Sequence, residues 1–478
     1  MDNAKDEHMR YSFSSGEELN LSQLFLSAWK VVQKSSPIVA KAIAQEWQSQ
    51  KESLKLIASE NYSSPAVQLA MGNWMTDKYA EGSVGRRFYA GCQQVDAIER
   101  EGVCLLRELF GCEHASLQPH SGSDANLIAF WAILSEKVQH PYLEKLQKKQ
   151  LDLLSDQEYE KLREFFYRQK LLAPSLPSGG HLTHGFRANV SGKMFQTITY
   201  EVNSESGRFD YAALQKLACR ERPLILLAGY SSYPRRLNFR ILREIADESG
   251  AVLMVDMAHF AGLVAGKVLI DEEDPVPYAD IVTSTTHKTL RGPRGGIILC
   301  TEQYAPWIDR ACPLVMGGPL PHVMAAKVIA FQEALSLSFR LYTQRVVDNA
   351  RVLAEAFLQR GRELLTGGTE NHLLILNVWN SYGLTGKEAE SLLSEGGIIT
   401  NRNAIPQDVH PPWHASGIRM GTAALTTLGM GEEEMREIAH YADQLLTRGD
   451  IASVVQGVRE LMARFPLYPH LAPLEGLS

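Results

Sequence analysis

No apolar run in this 478-residue chain reaches the roughly 18 to 20 residues that a membrane span requires. The longest, Ala251 to Gly266, is interrupted by Asp256 and His259. Met1 to Leu21 scatters Asp, Lys, Glu and Arg throughout and lacks the apolar centre of a secretory signal, so a cytoplasmic location is expected. Cysteine is sparse. Cys92, Cys104, Cys112, Cys219, Cys300 and Cys312 have neither CxxC spacing nor density, which signals no metal site and no disulfide framework and fits a reducing compartment. A basic excess is missing too: 48 Lys and Arg against 55 Asp and Glu leave a net charge of −7, no electrostatic footprint for nucleic acid. With 45% hydrophobic and 22% charged residues the chain lies far from disordered compositions, and its length allows large cores. Small-molecule ligands are the expectation.

Residues 1–20 read as frayed, and Leu21 to Leu56 as helix, because Leu24, Ala28, Val31 and Val32 recur at three- and four-residue intervals, with one break at Pro37. From Ser59 to Arg100 the chain is loop-rich over a length that usually binds something. An α/β rhythm follows. His114–Leu117, Leu224–Ala228, Val252–Val255, Ile281–Ser284 and Ile297–Cys300 are short apolar runs, with helical patterns at Asp124–Ser135 and Phe239–Ser249. Strands apolar throughout and separated by helices indicate a mostly parallel sheet covered on both faces. Residues 141–172, rich in Leu, Lys, Glu and Gln, read as a surface helical hairpin, with Ser155-Asp156-Gln157-Glu158 as a capping box. A long helical stretch over 322–360 then leads to strands near Leu373–Val378, Ile398–Asn401 and Gly417–Met420. The expected organisation is an N-terminal helical arm (1–60), a large domain (61–330) with a helical insert at 137–172, and a small C-terminal α/β domain (331–478). There is no internal repeat.

The chemistry concentrates at strand ends. Lys288 follows the Ile281–Ser284 run, beside hydroxyls and ahead of Gly292-Pro293-Arg294-Gly295-Gly296, a setting that suits a Schiff base with a carbonyl cofactor. Asp256 ends the Val252–Val255 run, where open α/β sheets bind ligands and where a carboxylate can keep a pyridinium nitrogen protonated. His259, three residues on, is placed to touch the same ring. Ser121-Gly122-Ser123 opens a helix whose free N–H groups and dipole favour a phosphate. Taken singly, these are a solvated loop lysine, a strand-end cap and a routine helix cap. A phosphate cup, an acidic ring partner and a lysine in that order are much harder to obtain by chance.

Longer strings carry a resemblance: Leu56-Ile57-Ala58-Ser59-Glu60-Asn61-Tyr62, Lys78-Tyr79-Ala80-Glu81-Gly82, Pro119-His120-Ser121-Gly122-Ser123, Gly179-Gly180-His181-Leu182-Thr183-His184-Gly185, Val255-Asp256-Met257-Ala258-His259, Thr285-Thr286-His287-Lys288-Thr289 and Ser416-Gly417-Ile418-Arg419. Over about residues 21–466 the sequence resembles the serine hydroxymethyltransferases, pyridoxal-phosphate enzymes of the aspartate-aminotransferase fold (fold type I). The resemblance implies Lys288 as the Schiff-base lysine, Asp256 on the ring nitrogen, His181 stacked over the ring and His259 near its hydroxyl, with Ser231 and Thr285 in support. It puts the phosphate on Gly122, Ser123 and His287 and, across a homodimer interface, on Tyr79 and Gly318. Arg419 and Ser59 would take the substrate carboxylate, and the partner's copies of Glu81 and Tyr89 would meet the hydroxymethyl group. Leu176, Gly180, Leu182 and Asn403 fall on the folate side. The implied reaction moves the serine hydroxymethyl carbon to tetrahydrofolate and leaves glycine, in a homodimer or a tetramer of the same chain.

Four departures from that family's pattern stand out. Phe88-Tyr89 occupies the place of two tyrosines, Asp124 that of a glutamine, and Leu314-Val315-Met316 that of a Gly-Gly-Gln run, while the helical insert leads into Leu176–Leu182. The competing reading is a folate-independent β-hydroxy amino acid aldolase of the same fold, ahead of an aminotransferase, an idle cofactor binder or an RNA-binding protein. Dependence of serine turnover on tetrahydrofolate discriminates between the first two.

Overall fold

The computed structural model describes residues 21–469; the stretch read as frayed lies outside them. The apolar runs become strands because β-branched and leucine side chains can be buried on both faces of a sheet. Seven strands lie side by side in the order His114–Ser116, Gly296–Cys300, Ile281–Thr285, Val252–Asp256, Ile225–Gly229, Lys170–Pro174 and Gln196–Tyr200. The last five are mutually parallel, and Gly296–Cys300 runs antiparallel to both its neighbours. Leu253 and Val255 point into one core, Val252 and Met254 into another, so the alternation of the pleat feeds two layers of helices. Register sets Asp256 opposite Gly229 on one side and Thr283 on the other, at the carboxyl end of the parallel strands.

A second, three-stranded antiparallel sheet is formed by Leu373–Asn377, Gly417–Gly421 and Asn401–Asn403, with its own core. Leu54 and Leu56 belong to that core, and Leu54–Lys55 pairs in parallel with Ile398–Ile399. Helix Leu337–Leu358 serves both bodies: Phe339, Tyr342, Val346 and Val347 lie in the large core, and Val352, Leu353 and Phe357 in the small one.

Three expectations are corrected. The helical stretch expected over Leu21–Leu56 does break at Pro37, into Leu21–Ser35 and Pro37–Glu52, but it ends at Glu52 and gives way to the strand Leu54–Lys55. Its periodic residues Leu24 and Val31 face outward, while Trp29 is buried and donates from its indole N–H to the Ala40 carbonyl. The 322–360 stretch divides into Pro321–Ala334 and Leu337–Leu358, because Ser336 caps a new helix by accepting from the Phe339 N–H. The insert is helical through Tyr167, with the Ser155–Glu158 capping box formed, but residues 170–172 belong to the buried strand Lys170–Pro174. Leu171-Leu172-Ala173 is too short to separate from the preceding helical pattern by periodicity.

The loop-rich region is held by one guanidinium. Arg87, its side chain almost wholly buried, donates to Asp96 at 2.8 Å, to Glu99, and to the carbonyls of Ala80 and Gly82. This fixes the turn that carries Glu81 and Tyr89 against helix Gln93–Phe110. Arg87→Met removes the cation bonded to both buried carboxylates, leaving Asp96 only the exposed Arg100 at 3.8 Å, and is expected to lower unfolding free energy by about 3–5 kcal/mol in urea titrations. A loss below about 1 kcal/mol, the range of exposed ion pairs, would show that the turn does not depend on this network.

Candidate active site

Each part of the site grows from a chain feature with a physical reason. Helix Gly122–Leu134 starts where Ser121 accepts from the Asp124 N–H at 3.1 Å, which leaves the N–H groups of Gly122 and Ser123 at the helix mouth. A Cβ built on Gly122 would lie 2.7 Å from the Thr285 methyl carbon, so no larger residue fits between helix and strand. The Asp124 carboxylate, adverse beside an anion, accepts the Ser121 hydroxyl at 2.9 Å. His287 lies close by, its Nδ1 buried without a partner, and burial holds the ring's pKa down at about 3.

Asp256 sits in the densest polar network of the site. Its Oδ2 accepts from Asn126 at 2.8 Å and from His184 Nε2 at 3.1 Å, and its Oδ1 from the Ala258 N–H at 3.0 Å. His184 Nδ1 accepts from the His181 N–H, which leaves the ring proton on Nε2, facing the carboxylate. Burial opposes the charge on Asp256, but the hydrogen bonds donated by His184 and then Asn126 prevail and hold it well below the usual carboxylate range. Thr283 donates to Asn126 Oδ1, and Asn126 donates to the Thr183 hydroxyl, which donates in turn to His181 Nδ1 at 2.7 Å. Burial lowers the His181 pKa to about 4, so the ring stays neutral and keeps its hydrogen on Nε2.

Lys288 follows the strand next to Asp256, and Asn61 holds its carbonyl at 2.9 Å. Burial lowers its pKa to about 8, with Asp256 pulling the other way and Arg419 and Arg294 adding to the fall. Arg419, in the centre of Gly417–Gly421, donates from Nε to Asn401 at 3.1 Å and from one terminal nitrogen to the Ser231 carbonyl at 2.6 Å. Burial brings its pKa to about 10, still charged at neutral pH. His259 shares a 3.3 Å contact between its Nδ1 and Nε2 of His372, whose other nitrogen is buried and unpartnered. Burial first, then nearby cations, keep both rings neutral.

The structure thus brings Lys288, Asp256, His181, His259, Thr285, His287 and Arg419 together from six elements of the two bodies. Ser231 contributes through its backbone, receiving Arg419 and donating its N–H to Gly179 at 2.7 Å. Gly180 is required by space, because a Cβ there would lie 2.2 Å from the Pro174 carbonyl oxygen. It shapes the turn between Leu176 and the exposed Leu182. Asn403 donates to the Ala404 carbonyl, and Ser59 is half-buried. Tyr79, Glu81 and Tyr89 make no hydrogen bond to the Lys288 group; the two tyrosine rings meet edge to face at 5.1 Å, and Tyr79 lies against Gly318. His184, Asn126, Thr183, His372 and Asn401 were missed by sequence reasoning. Of these, Thr183 and His184 carried a signal, lying two and three residues from His181 in the same string.

A lysine and a buried, charged carboxylate beyond adjacent strands, with a helix mouth whose first N–H groups are free, match the arrangement expected of a pyridoxal-phosphate enzyme of fold type I. The family model described as serine hydroxymethyltransferase matches residues 32–143 and 160–442, its gap falling inside the helical insert. The chain is 52% identical over 465 aligned positions to a serine hydroxymethyltransferase of Mycolicibacterium smegmatis, covering 94% of this chain and 95% of that one. It is 53% identical over 467 positions to one of Treponema pallidum, covering 94% and 81%, and 50% identical over 487 positions to one of Chlamydia muridarum, covering 98% of each. The chain belongs to the serine hydroxymethyltransferase family.

The amine of Lys288 attacks a carbonyl only when neutral. Capture of pyridoxal phosphate by the apo-chain is therefore expected to quicken with pH until about 8 and then level, rather than climb toward 10.5. Because the Asp256 charge holds the proton on Lys288, Asp256→Asn is expected to move that midpoint lower. Stopped-flow absorbance checks both, and a midpoint near an ordinary lysine's would show that Lys288 is not the capturing group.

Proposed function

We infer that the chain transfers the hydroxymethyl carbon of serine to tetrahydrofolate, giving glycine and 5,10-methylenetetrahydrofolate. The observation that carries this reading is the convergence of Lys288, charged Asp256 and Arg419 beside a neutral His181. The residues fit the cofactor: the helix mouth at Gly122 and Ser123 and the unpartnered His287 nitrogen suit its phosphate, and Asp256 suits its ring nitrogen. When bound, pyridoxal phosphate supplies a carbonyl for an amine and a ring that withdraws electrons from the amino acid's Cα.

Lys288 presents the amine that would hold the cofactor through its carbonyl carbon. Asp256, kept charged by His184 and Asn126, holds a proton at the ring nitrogen. His181 covers the ring, its orientation set by Thr183. Arg419 has one terminal nitrogen tied to Ser231 and offers the rest of its fork to the substrate carboxylate, with Ser59 alongside. Leu176, Gly180, Leu182 and Asn403 line the folate side.

The reading includes a homodimer, in which Tyr79, Glu81, Tyr89 and Gly318 complete the partner's site and Glu81 moves a proton at the hydroxymethyl oxygen. Supporting it, Trp74, Tyr79, Phe88 and Tyr89 are all exposed on one loop-rich segment, a concentration of aromatic surface suited to an interface. No described helix is long and apolar enough to cross a membrane; a cytoplasmic location agrees with six free thiols.

Borohydride treatment of the holoenzyme is expected to fix pyridoxyl on Lys288, and glycine formation from serine to collapse when tetrahydrofolate is omitted. Label on another lysine would overturn the site, and undiminished turnover without folate would favour the aldolase reading. Mixed dimers of Glu81→Gln and Lys288→Ala subunits, each inactive alone, are expected to regain activity, because one of their two sites holds both natural residues. No recovery in verified mixed dimers would place both residues in a site made by one chain.

A further inference from the structure

Lys327 is a charged side chain for which the reaction has no evident use. It lies on helix Pro321–Ala334, 1% exposed, and its ammonium donates to the carbonyls of Leu117, Pro119 and Gly296 at 2.7, 2.9 and 2.9 Å. Three carbonyl acceptors take all three N–H groups of the ammonium form; a neutral amine would leave one of them without a proton. Burial lowers its pKa to about 7 against the pull of Glu99 and Asp124, and the three bonds hold the proton in place.

What these carbonyls belong to gives the lysine its meaning. Leu117 and Pro119 lead into Ser121 and the helix mouth at Gly122, and Gly296 begins the strand behind it. A Cβ on Gly295 would lie 2.3 Å from Lys327 Cε, and one on Gly296 would lie 2.2 Å from the Ser121 carbonyl oxygen and 3.2 Å from the Gly122 nitrogen. The two glycines are thus a thin backbone layer between the ammonium and the cup. The Lys327 charge is felt at His287, on the cup's other side.

We propose that Lys327 is a positioning residue for the phosphate cup, pinning the Leu117–Pro119 and Gly296 carbonyls and placing a buried positive charge behind the helix mouth that receives the cofactor's phosphate. The proposal rests on the pyridoxal-phosphate reading of the site. It assigns to Lys327 a contribution specific to the phosphate and none to the aldehyde or ring. It also supplies a counter-charge to Asp124, the carboxylate that stands at the cup in this chain.

The test compares pyridoxal phosphate with pyridoxal, which lacks the phosphate, as ligands of the apo-enzyme, with quenching of tryptophan fluorescence as the readout and thermal unfolding as the check on folding. Lys327→Gln keeps two donors and removes the charge. It is expected to weaken pyridoxal phosphate roughly ten- to a hundredfold, the scale of a charge-assisted interaction, and to leave pyridoxal within about twofold. Gly295→Ala displaces the ammonium without deleting it and is expected to shift the same ratio in the same direction. Equal weakening of both ligands would show a merely structural role and overturn the proposal, as would unchanged binding of both. Should neither variant fold, Lys327 serves folding and the proposal fails. If the unaltered chain does not capture pyridoxal phosphate, the reading of the site fails first, a result separable from all the others.

Discussion

A carboxylate that must remain charged where water hardly reaches governs the architecture around Asp256. Burying an isolated carboxylate costs several kcal/mol, and the cost is met only when its oxygens are fully bonded. Here the donors come from three places: Asn126 on the phosphate-cup helix, His184 in the loop after Lys170–Pro174, and the backbone at Ala258. The helix, the loop and the strand therefore cannot be placed independently. The same network orients His181 through Thr183, so the amide that helps keep the carboxylate charged also aims the His181 ring.

Lys288 and Arg419 are set by the opposite electrostatic sign. Both are cations in poorly hydrated surroundings, and burial brings both below their ordinary values, to about 8 and about 10. The results differ because their ordinary values differ: near neutral pH the lysine has an accessible neutral form, whereas the guanidinium keeps its charge. One site thus contains a nucleophile that can lose its proton and an anchor that cannot. Their positions on separate bodies, one beyond a parallel strand and the other inside an antiparallel one, make the site dependent on how those bodies meet.

The placement of Lys288 and Asp256 was legible in the sequence, since a lysine or aspartate after a short β-branched run marks a strand end. The supports were not. Asn126 and His372 look like any buried polar residue in a helix or strand margin until folding brings partners from dozens to hundreds of positions away. The strand Lys170–Pro174, next to the sheet's edge, was absorbed into the helical insert for a related reason, as three apolar residues have no period of their own. The amphipathic stripe of Leu21–Ser35 was legible, but its burial was not, because periodicity says that a face exists and not what covers it.

Helix Leu337–Leu358 places its first turns in one core and its last in the other. Its 22 residues make a rod of about 33 Å, without proline or glycine to act as a joint. Mechanically the two bodies are mounted on one shaft. Bending between them would have to break helical hydrogen bonds, and a roll of the three-stranded sheet around the shaft would have to break the bonds from Arg419 to the Ser231 carbonyl and from Asn371 to the Tyr233 carbonyl. Arg419, carried on that sheet, is thereby braced twice, by the shaft beneath it and by its own bond to the large body, so its reach toward the ends of the parallel strands is set by stiffness rather than left to a hinge.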